Sequence, residues 1–134
     1  MTRALETAGG QAGQAAVEMA IAIPVLMLMV VAVCQVALAL NCYLVVTGAS
    51  REGARRAAET NDAKAAEKAA LAAAGGLPGK PVAVGVSFAE GREKGCPVVV
   101  TVTYHVPLLL PGLDHLLGSP SFARSTTMSL ERSP

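Results

Sequence analysis

The sequence predicts an α+β protein in which a long N-terminal transmembrane helix is followed by a short helix and a small antiparallel sheet of about three strands. Two observations lead to this prediction. Apolar residues are concentrated in one uncharged segment, residues 19–40, and the chain beyond residue 82 alternates polar and apolar residues as half-buried strands do. A chain of 134 residues has room for one domain beside such a segment.

The apolar segment is long enough to cross a bilayer. It reads MAIAIPVLMLMVVAVCQVALAL, without a charged residue, and a helix needs about 20 apolar residues to span the hydrocarbon core. Aromatic residues are only 3% of the chain, so Ala, Val and Leu supply most of its apolar surface. Pro24 lies early in the segment, where a transmembrane helix tolerates proline, and we expect a kink there.

The flanks of this segment define the predicted domains. Residues 1–13 are rich in Gly and Ala without periodicity, which predicts a flexible leader. Residues 14–58 are predicted to form one transmembrane and membrane-proximal helix, because NCYLVVTGASREGARRAAE keeps helix-forming residues while turning polar. Residues 59–134 are then the α+β domain.

Small residues in the membrane-proximal part of this helix suggest helix packing. Ala49, Gly53 and Ala57 are spaced by four, and a seam of small residues lets another helix approach closely. The alternative is that Ala is present as the best helix former. With Pro24, these are the predicted helix-packing positions. The nearby Arg51, Arg55 and Arg56 are interpreted as a solvated helix face.

Turn and strand signals divide the remaining chain. Thr60, Asn61 and Asp62 predict a break, and a short helix runs from there to Gly75-Gly76. VAVGVSF and VVVTVTYHV predict an antiparallel hairpin over 82–88 and 98–105, with Val98, Val100, Val102 and Tyr104 on one face. A third strand is expected over about 121–131.

The sequence contains no arrangement typical of a catalytic, cofactor or metal site. His105 and His115 have no partner at metal-ligand spacing, and the net charge of +1 without a basic, aromatic-flanked run argues against nucleic acid as a partner. We therefore expect no enzyme activity, no cofactor and no small-molecule substrate. Cys34 is expected to be an ordinary apolar residue, whereas Cys42 and Cys96 could form a disulfide in an oxidising compartment.

The order of three segments resembles a known family. They are Gly13-Gln14-Ala15-Ala16-Val17-Glu18, the apolar segment with Pro24, and Ala49-Ser50-Arg51-Glu52-Gly53-Ala54-Arg55. Together they cover about residues 13–58 and resemble the TadE-like family of pseudopilins and minor pilins, which is associated with tight-adherence (Flp-type IVb) pilus systems. The resemblance implies a single-pass protein of the bacterial cytoplasmic membrane, with its C-terminal domain outside, that helps to assemble or joins an adhesive pilus.

The resemblance also implies processing and partners. A prepilin peptidase would cut after Gly13, so that Gln14 becomes the N-terminus and Glu18 the fifth residue, and other pilin-like subunits would pack on the N-terminal helix. A charge at the membrane edge is costly unless it is paired, and the new ammonium could pair with Glu18. The alternative is a glutamate that stabilises a helix N-terminus.

Orientation and function class have alternatives. The positive-inside rule would place the arginines after the span in the cytoplasm, but they begin about 15 Å beyond Leu40, and the resemblance requires a cytoplasmic leader. A membrane-tethered binding or accessory subunit of another envelope complex is the second hypothesis. The third is a secreted domain cleaved after Ala37-Leu38-Ala39. The mass of the mature chain separates the three.

Overall fold

The computed structural model describes residues 3–78, 82–88, 93–109, 118 and 120–131. Its elements follow in the order α1 (Arg3–Thr60), α2 (Ala63–Ala73), β1 (Ala83–Phe88), β2 (Pro97–His105) and β3 (Ser121–Ser129). Strand β2 is central and pairs antiparallel with both neighbours. The predicted fold class is confirmed: a long helix, a short helix and a three-stranded antiparallel sheet.

Helix α1 begins at Arg3, eleven residues before the predicted start at Gln14, and continues through Pro24. The expected flexible leader is therefore helical from Arg3 onward. Extending an existing helix adds one hydrogen bond for each residue fixed, so the glycines of the leader, at about 1 kcal/mol each, need not end it. Whether the leader is removed in the cell stays a prediction.

The predicted break between the helices is confirmed at residues 61–62. Asn61 has a φ of 53°, in the left-handed region that Asn tolerates better than most residues, and its amide donates to the Ala57 carbonyl at 2.9 Å. Asp62 then caps α2, because its Oδ1 accepts a hydrogen bond from the Lys64 amide at 3.0 Å. The chain leaves α2 through Gly75-Gly76, as the glycine pair predicted.

The chain divides into two compact units, Met1–Val36 and Ala37–Pro134. In the second unit, one face of α1 packs with α2 and the sheet, because its small and β-branched residues recur every three or four positions. The buried core comprises Cys42, Val46, Ala49, Ala54, Ala57, Ala66, Ala70, Ala74, Val98, Val100, Val102, Tyr104, Val106 and Leu130. The second compact unit, which contains the sheet, begins at Ala37, whereas the sequence predicted an α+β domain from residue 59.

Three contacts fix the direction of β3 relative to this part of α1. Near the start, the ring of Tyr43 lies 5.9 Å from the ring of Phe122 in β3. Midway, Ser50 Oγ and Thr126 Oγ1 are 2.9 Å apart. At the far end, the Glu131 amide donates to the Ala58 carbonyl at 3.0 Å. Strand β3 therefore runs in the same direction as α1, and the sheet end at His105 and Ser121 lies nearest to Leu40.

Cys42 and Cys96, both in the described part of the chain, are not joined by a disulfide. Cys42 is buried in the same core as Tyr104, whose hydroxyl donates to the Pro78 carbonyl. Cys96 lies at the other end of β2, beside Pro97, where its carbonyl accepts from the Leu130 amide at 2.9 Å. Since Tyr104 and Pro97 are at opposite ends of the strand, the fold does not bring the two cysteines together.

Candidate membrane-spanning and assembly surface

Helix α1 carries a continuous apolar surface that the described chain leaves uncovered. Most of its large apolar side chains from Val17 to Leu44 are 49–69% exposed, Val31 and Leu38 are half-buried, and no residue of its most apolar 18-residue window is buried. These side chains point in all directions around the helix, whereas the surface helix of a soluble domain has one apolar stripe. By length and composition α1 is a candidate membrane span, which is consistent with membrane anchoring.

The predicted processing residues lie on open helix surface. Gln14 Nε2 donates to Glu18 Oε1 at 3.2 Å, one turn along α1, and both side chains are exposed. A Cβ added to Gly13 would meet no atom within 4 Å. The side chains of Gln14 and Glu18 are therefore already on one helix face. A free amine at Gln14 would lie one turn from the Glu18 carboxylate.

The small residues predicted for helix packing contact other parts of the same chain. Ala49, Gly53 and Ala57 are buried, and a Cβ added to Gly53 would lie 3.0 Å from Ala70 Cβ and 3.0 Å from Val100 Cγ1. The absence of a Gly53 side chain is what lets α1 approach α2 and β2 together. Pro24 is exposed and lies in the other compact unit.

The arginines that follow the apolar segment form a solvated face, as interpreted from the sequence. Arg55 Nε lies 3.4 Å from Glu59 Oε1 and 4.0 Å from Glu52 Oε2, and Arg56 Nη1 lies 3.3 Å from Glu59 Oε2. All these side chains are at least one-third exposed, and such pairs contribute roughly 0–1 kcal/mol each. They make this face of α1 hydrophilic and contribute little to the stability of the fold.

A cation and two aromatic rings meet just past the apolar segment. The rings of Tyr43 and Phe122 are 5.9 Å apart at an interplanar angle of 80°, and the Arg124 guanidinium lies 4.8 Å from the centre of the Tyr43 ring. Arg124 also donates to the Tyr43 hydroxyl. The sequence analysis missed this cluster. Tyr43 alone carried a signal, as an aromatic residue at the end of an apolar span, but its partners lie about 80 residues away in β3.

The described residues contain no group of three or more His, Cys, Asp or Glu side chains that could hold a metal ion. His105 is exposed at the end of β2, and His115 lies outside the described residues. Burial raises the pKa of the Tyr104 hydroxyl, with smaller contributions from the charge and hydrogen bond of Cys42. The Tyr104 side chain is fully buried, and its hydroxyl donates to the Pro78 carbonyl, so it belongs to the packed core.

The comparison with known families bears on the N-terminal part of the chain. Residues 13–55 match the family model described as TadE-like protein. The match confirms the resemblance over 43 of the 134 residues, from Gly13 through Pro24 to Arg55. It suggests involvement in a tight-adherence (Flp-type) pilus system. No curated protein and no solved structure matches the chain.

Proposed function

We propose that the protein is a membrane-anchored pilus-assembly component, a TadE-like pseudopilin or minor pilin that supports biogenesis of an adhesive type IVb pilus. The observation that carries the proposal is the coincidence of the family match, residues 13–55, with the exposed apolar surface from Val17 to Leu44. A lone apolar helix needs lipid or neighbouring helices around it. Lipid would surround it before assembly, and the helices of other pilin-like subunits would surround it in the assembled bundle.

Glu18 is proposed to pair with an amine created by a prepilin peptidase. It is exposed on α1, and the next charged residue along the helix is Arg51. Cleavage after Gly13 would release the α-ammonium of Gln14 one helical turn away, on the face where Gln14 already contacts Glu18 at 3.2 Å. In an apolar bundle an unpaired charge is costly, so pairing of this ammonium with the Glu18 carboxylate of a neighbouring subunit would fix the stagger between subunits.

The experiment compares piliation in strains that carry wild-type protein, Glu18→Gln or Gly13→Ala at equal membrane abundance. Glu18→Gln removes the charge but keeps the size and hydrogen-bonding capacity of the side chain, so the fold and membrane insertion should be unchanged while pilus number and recovery of partner subunits fall. Gly13→Ala serves as the cleavage-defective control. Glu52→Gln is the matched control, since Glu52 is also an exposed helix carboxylate whose ion pair is a weak surface contact.

Full piliation with Glu18→Gln would contradict the ion-pair proposal and leave Glu18 as a residue that stabilises a helix start, worth about 0.3–1 kcal/mol. The proposed orientation, with the leader in the cytoplasm and the α+β domain outside, is tested by alkaline-phosphatase fusions at the C-terminus. An inactive fusion, with protease protection of the domain in spheroplasts, would contradict the pilus function. In that case a membrane-tethered accessory subunit of another complex becomes the better hypothesis.

A further inference from the structure

The cluster of Tyr43, Phe122 and Arg124 lies where the exposed apolar surface of α1 ends. Leu40 and Leu44, on either side of Tyr43, are 59% and 67% exposed, and Tyr43 lies about 4.5 Å along the helix beyond Leu40. Between Glu18 and Arg51, α1 has no charged residue. The positive charge beside Tyr43 therefore comes from Arg124 in β3. Folding of the domain thus brings a cation to the edge of the apolar segment.

The sheet presents the same end to this level. Because β3 runs in the direction of α1, its first residue, Ser121, and the last residue of β2, His105, are paired at the end nearest to Leu40. The chain leaves β2 at this end through Pro107, Leu108 and Leu109, and Leu109 is 50% exposed. The segment that leaves this end of the sheet therefore carries an exposed leucine.

These side-chain types favour the boundary between lipid and water. Amphipathic aromatic rings collect at the level of the lipid headgroups, and the planar guanidinium of Arg binds phosphate with two parallel hydrogen bonds. Two of the four aromatic residues of the chain are in this cluster, although Tyr and Phe are otherwise scarce. Arg124 is exposed, so one side of its guanidinium faces Tyr43 while donors remain for a phosphate.

We propose that Tyr43, Phe122 and Arg124 form a contact for the headgroups of anionic phospholipids, which seats the sheet end at His105 and Ser121 on the membrane surface. The inference rests on the membrane anchoring in the proposed function and adds a second attachment, made by the folded domain. The cluster favours anionic lipid, because Arg124 contributes a positive charge immediately beside the apolar segment, where the lipid phosphates lie.

Depth in the bilayer is measured with the full chain reconstituted in vesicles. The chain has no tryptophan, so Phe122→Trp introduces a single reporter, and Phe88→Trp is the matched control at the opposite end of the sheet. Phe88 pairs with Val98, whereas Phe122 pairs with Tyr104. Phospholipids brominated near the carbonyl end of their acyl chains should quench the Phe122→Trp variant strongly and leave the Phe88→Trp variant unquenched.

Headgroup preference is measured by comparing quenching by brominated phosphatidylglycerol and brominated phosphatidylcholine. The Phe122→Trp protein should favour phosphatidylglycerol by about fivefold at low salt, the effect expected of one cation at an anionic surface. Arg124→Gln in this background should remove the preference, and Arg124→Lys should keep most of it. Arg55→Gln should leave it unchanged, because Arg55 lies three helical turns beyond Tyr43.

Two results would overturn the proposal while leaving the proposed function intact. One is a Phe122→Trp protein that floats with the vesicles, resists proteolysis like wild type and is not quenched by lipid. The other is a tryptophan emission that changes only as the protein-to-lipid ratio rises, which would assign the cluster to a contact with another subunit. A chain that does not float with vesicles would instead contradict membrane anchoring itself, and the headgroup contact with it.

Discussion

Replacement of Gly53 by alanine tests the packing of α1 against α2 and β2. The new Cβ would lie 3.0 Å from Ala70 Cβ and 3.0 Å from Val100 Cγ1, closer than ordinary van der Waals contact, and 3.4 Å from the Ala66 carbonyl oxygen. Ala70 Cβ is fixed on a helix and Val100 is buried on the central strand, so these neighbours must move by a few tenths of an ångström. Overpacking of this kind costs about 1–3 kcal/mol.

The matched control is Gly48→Ala. Gly48 lies on the same helix, where an added Cβ meets no atom within 4 Å. Both substitutions gain about 1 kcal/mol of helix propensity, so the difference between the two variants isolates the packing term. We expect Gly48→Ala to stabilise the domain by up to about 1 kcal/mol and Gly53→Ala to be about 1–3 kcal/mol less stable than that control.

The assay is amide hydrogen exchange of β2 in the full chain in detergent micelles, because core strands report the free energy of global opening. Exchange of residues 98–105 should be faster in Gly53→Ala than in Gly48→Ala. Ala70→Gly should lower the protection less in the Gly53→Ala variant than in wild type, since in that variant it also removes one of the two 3.0 Å contacts. Equal protection in Gly48→Ala and Gly53→Ala would refute the close approach of the three elements.

Two further predictions concern the contacts that join α1 to the sheet. Ser50→Ala should lower the free energy of unfolding by about 1 kcal/mol, because it removes the 2.9 Å contact with Thr126. Ser125→Ala, on the solvent face of the sheet, should change this free energy by less than about 0.5 kcal/mol. Denaturant titration of both variants measures the difference. Folding raises the pKa of Tyr104 above its ordinary value of 10.0. The unfolded chain therefore loses this proton at a lower pH than the folded chain. As the pH rises above 10.0, the stability contributed by Tyr104 falls. In unfolding titrations from about pH 8 to about pH 11, Tyr104→Phe should therefore show a shallower loss of stability than wild type, and parallel curves would contradict the buried phenol as the cause.

The elements of the fold were predictable because each has a local signal. The alternation of Val98, Val100, Val102 and Tyr104 predicted a half-buried strand, and all four are buried in β2. Asn61, Asp62 and the Gly75-Gly76 pair likewise marked the ends of α2 through their backbone preferences. The start of α1 was wrong by eleven residues, because loss of periodicity in an Ala- and Gly-rich stretch does not by itself stop a helix.

The packing partners of these elements were not predictable in the same way. The spacing of Ala49, Gly53 and Ala57 indicated a close approach, but a seam of small residues does not state whether its partner is another subunit or the same chain. In the fold, α2 and β2 fill it. The Tyr43, Phe122 and Arg124 cluster depends on the register of β3 against α1, which is set by long-range contacts such as that of Ser50 with Thr126.

The mass of the mature protein in its own membrane tests the central claim most directly. The proposal of a processed pilus-assembly subunit predicts loss of residues 1–13, so that Gln14 is the N-terminal residue, in cells with a prepilin peptidase, and the full-length chain in cells that lack this enzyme. A full-length chain in both strains would contradict processing and favour a membrane-tethered accessory subunit. A chain that begins after Ala39 would contradict membrane anchoring altogether and identify a secreted domain.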